Sequence, residues 1–266
     1  MSKADRERSA RDRLAEDRRR AAAAQRRRRL LVVVLGAVAA AAVVVVIVVV
    51  AVGNNGGGGP SAEKYTGPIA PAARQRDGSV AMANSGVTAP VLDVFEDFQC
   101  PACKAMEARV GGTIKKLAAE GRVKVVYRPF QLFQQDPLMS NSRRAANAAA
   151  CMPADHWVKY HDKLYAEQPP EGDEGFANAD LVKWAGQLGV SAPTFAACVN
   201  GAQQMRQVDQ ATAYAGKAGV TATPFLALNG RQLGNDALGS PSALQKAVAK
   251  AGSAVPRSAG RAPERG

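Results

Sequence analysis

Residues 30–52, LLVVVLGAVAAAAVVVVIVVVAV, run for 23 positions without a charge or a strong hydrogen-bonding side chain. As a helix rising about 1.5 Å per residue, the run extends roughly 34 Å, enough to cross a hydrocarbon layer of about 30 Å. Valine's weak helix preference matters little there, because in lipid a single segment satisfies its backbone only as a helix. The run predicts one transmembrane helix. The competing reading is a cleaved signal peptide, with Ala51-Val52-Gly53 as a small-residue cleavage site, but the apolar region of such peptides is usually about 7 to 15 residues. Arg26 to Arg29 precede the run, and its far flank, residues 53–61, carries no charge. The positive-inside rule then places a basic tail, residues 1–29, in the cytoplasm and the remainder of the chain outside.

The formal net charge of +12 and pI of about 9.9 are set largely by that tail, where twelve Lys or Arg face five Asp or Glu. A surplus of five is left for everything else, too mild to argue for a basic binding face. No aromatic side chain interleaves the arginines, so nucleic acid is not the expected partner.

Residues 53–75 are rich in Gly and Pro and read as a flexible tether, while residues 253–266 read as a disordered tail. Between them, residues 76–252 fit one domain. PVLDVFEDF, residues 90–98, predicts a buried strand, and a helix follows with Pro101 in its first turn and Met106, Val110, Ile114 and Leu117 on one face. RVKVVYRPF, residues 122–130, predicts a second strand parallel to the first. A helical block over about residues 141–216 precedes a strand at Phe225 to Leu228, an Asn229-Gly230 hairpin turn, and a last helix with Ser240 as N-cap and Leu244 and Val248 facing inward. The order βαβ, helical block, ββα predicts an α/β fold with a mixed sheet and helices on both faces.

The strand ends on Cys100 and Cys103, two of only four cysteines. A lone CxxC is open to several uses. Zinc needs a second pair of ligands, and the two histidines, His156 and His161, are five apart, about 140° around a helix and badly placed to share a metal. A structural staple across so short a loop removes little chain entropy. At a strand end with Pro101 opening a helix, however, unpaired backbone N–H groups and the helix dipole favour a thiolate at Cys100. Placement therefore favours thiol chemistry with no bound metal.

DFQCPAC at residues 97–103, the aromatic run of Trp157, Tyr160, His161, Asp162, Leu164 and Tyr165, and GVTATPFLALNG at residues 219–230 together make residues 85–252 similar to the DsbA-like branch of the thioredoxin superfamily, in its membrane-tethered form from high-GC bacteria. The resemblance implies a thioredoxin-like fold with a helical insertion. It implies that Cys100 is the exposed reacting sulfur and Cys103 its shielded partner, with Pro101 and Ala102 the dipeptide between them. A cis-proline loop at Thr223 and Pro224 would face them and pair with substrate. The redox-active disulfide would be the only cofactor, and the partners would be cysteine-containing exported or cell-envelope proteins and a membrane reoxidase of the DsbB or vitamin K epoxide reductase type. The protein is expected to be monomeric. Two features depart from the family pattern: Ala102 stands where histidine is common, and Val94 where a carboxylate is. A helix terminus alone lowers a thiol pKa by at most about 1.5 units; with neighbouring backbone donors added, and without a histidine at Ala102, Cys100 is expected at roughly 5 to 7. Glu96 shares the strand face of Val94 and reads equally as a proton relay for Cys103 or as a solvated charge at the strand end; Asp97 matches a family position without a defined role.

Cys151 and Cys198 lie in the helical block. As lone thiols outside the membrane they would be open to oxidation, so a structural disulfide between them is expected, worth about 4 kcal/mol in the chain-entropy model; a relay disulfide is the alternative use. Trp157, Tyr160 and His161 read as core and helix contacts.

Overall fold

The computed structural model describes residues 65–253 apart from residue 192. The basic tail, the membrane segment 30–52, the first part of the tether and residues 254–266 lie outside the described residues, and no described helix is long and apolar enough to cross a membrane.

Six strands form one mixed sheet in the order β1-β2-β4-β3-β5-β6: β1 (Ala72–Arg74), β2 (Val80–Met82), β3 (Val91–Glu96), β4 (Lys124–Pro129), β5 (Phe225–Leu228) and β6 (Arg231–Gln232). β3 and β4 are parallel, with Val94 opposite Tyr127, and are joined by α1 (Pro101–Met106), a π-helical turn (Glu107–Gly111) and α2 (Gly112–Ala119). The remaining pairings are antiparallel. The βαβ unit, the β5–β6 hairpin and the final helix α9 (Pro241–Ser253) match the expected order. Asn229 and Gly230 both have positive φ, the backbone that a two-residue hairpin turn requires. Ser240 Oγ accepts the Ala243 N–H, capping α9.

Strand alternation creates two faces. Leu92, Val94 and Glu96 face α1, α2, α9 and the insertion helix α4 (Ala154–Ala166), while Phe95 faces α7 (Met205–Lys217) through Ala215 and Tyr214. Met106, Val110, Ile114 and Leu117 are all buried on the first face. The insertion between β4 and β5 contains α3 (Leu138–Cys151), α4, α5 (Asn178–Gln187), α6 (Pro193–Asn200) and α7. Cys151 at the end of α3 is bonded to Cys198 on α6.

The fold corrects several sequence expectations. Residues 72–74 are not tether, because β1 forms there and extends the sheet through β2; three-residue strands carry too little alternation to be seen before their partner is known. Within the helical block expected over about residues 141–216, the chain breaks between α6 and α7, where Ala202 takes a positive φ. The short α8 (Asn235–Gly239) was not foreseen.

Gly111 sits under the Glu107 side chain, and a Cβ at that position would run into Glu107 Oε2. Gly111→Ala gains about 0.5–1 kcal/mol of helix propensity, but displacing a buried, ion-paired carboxylate offsets this, so a net loss of about 1–3 kcal/mol is expected. Urea denaturation of both proteins checks the sign.

Candidate active site

β3 delivers the reactive pair to the edge of the core. Cys100 is extended and serves as the N-cap of α1, with Pro101 in the first helical turn. Its carbonyl accepts the N–H groups of Cys103 and Lys104, at 3.1 and 3.2 Å. Pro101 and Ala102 are exposed and Cys103 is sealed. Both thiols are free.

The loop before β5 closes over this corner. The Thr223-Pro224 peptide is cis, and the Cys100 thiol donates to the Thr223 carbonyl at 3.6 Å. This overlay corrects the expectation of an open Cys100 sulfur, since the residue is only 5% exposed. The Gln168 side-chain amide donates to the carbonyls of Phe98 (2.7 Å) and Cys100 (3.0 Å), pinning the turn from the insertion.

The two sulfurs are electrostatically unequal. The Cys103 thiol, donating to Cys100, is the largest influence drawing the Cys100 pKa down to about 7; burial opposes it, and the Thr223 side-chain hydroxyl and the N–H groups of Cys103 and Ala102 assist. The main donor is thus the partner sulfur, where the sequence pointed to the helix terminus. Burial first, then the Cys100 partner and the Glu96 charge, push the Cys103 thiol well above its ordinary range.

Asp97 holds the strand end. It is fully buried; Oδ1 accepts the Gln99 N–H (2.8 Å) and Oδ2 the Leu132 N–H (2.7 Å), and Ser142 Oγ donates to both oxygens. One carboxylate therefore ties the CxxC turn to the chain after β4 and to α3. Burial holds its pKa above the usual value, with these donors opposing.

Glu96 is 1% exposed, which removes the solvated reading. Its Oε2 lies 2.8 Å from His161 Nε2 and accepts from Tyr165 Oη at 3.1 Å. His161 Nδ1 is 3.1 Å from Asp162 Oδ1, and Lys115 Nζ pairs with Asp162 (2.8 Å) and Glu107 (3.4 Å). Burial raises the Glu96 carboxyl to about 7, with His161 the strongest opposing influence. Burial disfavours a charged His161, but Glu96, Asp162 and Glu107 together raise it to about 10. Atoms of Glu96, Glu107 and His161 lie within 4.8 Å of one another. Lys115 brings a compensating positive charge to this cluster, so that the carboxylates, the imidazole and the ammonium form one ion-pair network. His161 is more than the core contact its sequence context suggested, whereas Trp157 and Tyr160 are buried core residues.

Sequence reasoning missed Glu107, Lys115, Asp162, Ser142 and Gln168. One signal was present: two carboxylates in the apolar run VFEDF, if buried, each require a partner.

A thioredoxin family model matches residues 86–250, well over half of the chain, and the protein belongs to that family. Among solved structures the chain is similar to the reduced disulfide bond oxidoreductase DsbG of Mycobacterium tuberculosis (29% identity over 64% of this chain and 82% of that one, TM-score 0.55). It is also similar to reduced DsbA of the same organism (28%, 65% and 89%, TM-score 0.55). Oxidised BdbD of Bacillus subtilis, at 19% identity over 70% of this chain and all of that one, shares the fold with a TM-score of 0.59. A search of curated proteins gave no match. Within the thioredoxin family the chain is DsbA-like, an enzyme of dithiol–disulfide exchange.

Proposed function

We propose that this enzyme oxidises cysteine pairs of exported proteins through Cys100 and Cys103, outside the membrane to which residues 30–52 tether it. The observation that carries the reading is the inequality of the two sulfurs: Cys100, at a helix start beneath the cis-proline loop, leaves readily as a thiolate, while Cys103 is sealed and held protonated. A substrate thiolate attacks Cys100 Sγ of the enzyme disulfide, the Cys100–Cys103 bond breaks, and Cys103 leaves and takes a proton. A second substrate thiolate then attacks the substrate sulfur of the mixed disulfide and releases the Cys100 thiolate. Two electrons have passed to the enzyme, and the substrate holds a disulfide. The extended chain beside Thr223 and Pro224 would pair with the substrate. The reduced enzyme must return its electrons, and a membrane reoxidase of the DsbB or vitamin K epoxide reductase type is the partner this chemistry calls for. No cofactor beyond the disulfide is required, and a monomer suffices.

A reductase of the same fold is the second reading, favoured by one observation: a Cys100 pKa of about 7 equals that typical of thioredoxin, at about 7. The reduction potential separates them. An oxidase is expected well above about −200 mV, whereas a value near about −270 mV would assign a reductase. The lowered Cys100 pKa stabilises the folded reduced form fully above the unfolded thiol's pKa, and this stabilisation is lost as pH falls through about 7. Reduction therefore takes up two protons below that pH and one above it. At about 30 mV per proton and pH unit, the potential should fall by about 59 mV per pH unit below pH 7 and by about 30 mV above. Titration against glutathione across pH 5–9 measures both the value and the break.

A further inference from the structure

We propose that His161 and Asp162 carry protons between the buried Glu96 and solvent, completing a path that serves Cys103 from the side of the helical insertion. The proposal rests on the thiol-exchange reading above. It begins with the problem that reading creates. Each turnover gives Cys103 a proton when the enzyme disulfide opens and removes it when the disulfide reforms, yet Cys103 is fully buried.

Glu96 acts on Cys103 through its charge, and its Oε1 is a buried oxygen without a hydrogen-bond partner. In our scheme that oxygen exchanges the proton with Cys103. Its other oxygen is bound to His161 Nε2 at 2.8 Å, and the opposite ring nitrogen of the same imidazole contacts Asp162 Oδ1 at 3.1 Å. The imidazole has no exposed side-chain surface, whereas the Asp162 side chain is 43% exposed. The three side chains therefore form one continuous chain of hydrogen bonds from the core to the surface. An imidazole suits the middle of such a chain, because it can take a proton on one nitrogen and release one from the other.

The groups around it fit the task. Glu107 approaches from the π turn, Tyr127 from β4, and Tyr165 and Trp157 from α4 itself. Lys115 on α2 pairs with Asp162 and Glu107 and keeps the outer end from becoming a trap for positive charge. When the enzyme disulfide is reduced, the leaving Cys103 thiolate takes the proton that the Glu96–His161 pair holds on Glu96 Oε1; the ring, carrying its own proton at Nε2, then accepts one at Nδ1 from solvent by way of Asp162 and passes the Nε2 proton to Glu96 Oε2. Reoxidation runs the same transfers outward.

The test uses the full oxidised chain and a cysteine-pair peptide, with rapid acid quench and thiol alkylation to time the loss of the enzyme disulfide at pH 7. His161→Gln keeps a polar side chain that cannot shuttle a proton; Asp162→Asn removes the surface acceptor while Lys115 keeps Glu107 as its charged partner, and a thermal melt of each variant confirms that it is folded. Positioned acid–base groups typically contribute about 10²-fold or more, so each variant is expected to slow this step by at least about tenfold. Added acetate should restore Asp162→Asn, which is open to solvent, but not His161→Gln. Wild-type rates in folded variants would overturn the relay, and so would a slowed Asp162→Asn that ignores acetate. Should His161→Gln fail to fold, Asp162→Asn with its acetate response decides alone. A wild-type chain that exchanges no disulfide with the peptide would overturn the function itself, an outcome distinct from active wild type with unaffected variants.

Discussion

Cys103→Ser is expected to accumulate mixed disulfides between Cys100 and partner proteins in cells, while Cys100→Ser should accumulate almost none. This is the expected result if the sulfurs have the unequal roles the site gives them. In Cys103→Ser the Cys100 thiolate can still attack a partner disulfide, but the enzyme's own resolving sulfur is gone, so the mixed disulfide opens only by attack of a partner thiol and persists longer. In Cys100→Ser the remaining thiol is fully buried and its pKa is pushed up by burial, so little reactive thiolate is available at neutral pH. Non-reducing electrophoresis of cell extracts after acid quench reads the difference directly. Equal trapping by the two variants would remove Cys100 from its assigned role.

The second large effect falls on stability. Lys115 is 4% exposed and lies against Glu107 and Asp162. Burial disfavours its charge, but the two carboxylates more than offset that and hold the ammonium above its ordinary range. Lys115→Met keeps much of the volume and strands the Glu107 carboxylate beside Glu96. Breaking a buried pair from one side costs about 3–5 kcal/mol, which at about 2–4 °C per kcal/mol for a domain of this size lowers Tm by about 6–20 °C. The loss should be smaller at pH 5 than at pH 8, because Glu96, raised by burial to about 7, is neutral at the lower pH and no longer repels the Glu107 carboxylate. Thermal melts followed by circular dichroism at the two pH values check both points. A change below about 1 kcal/mol would mean that solvent replaces the ammonium.

The network around Lys115 is also where sequence reading stopped. Glu96 faces the same side of β3 as Val94, as alternation requires, but alternation cannot say whether that end of the strand is open or covered. It is covered by α4, which belongs to an insertion that begins more than forty residues later. Glu107 and Lys115 are eight residues apart and meet across the π turn, a spacing that regular α-helical periodicity does not favour. Gln168 reaches Cys100 from sixty-eight residues away, with nothing local to mark it.

What the chain could state by itself was what depends on near neighbours: the parallel βαβ unit, the Asn229-Gly230 hairpin, the capped last helix, and a CxxC at a strand end with a proline opening the helix. Periodicity, turn chemistry and capping act over a few residues, so they are written in order along the sequence. Tertiary structure decided how these pieces tune one another. The cis-proline loop covers Cys100, the partner thiol rather than the helix terminus is the main influence lowering its pKa, and α4 turns a strand-end glutamate into the buried end of a path to solvent. Burial and long-range ion pairing depend on which surfaces meet in space, and those meetings exist only once the chain has folded.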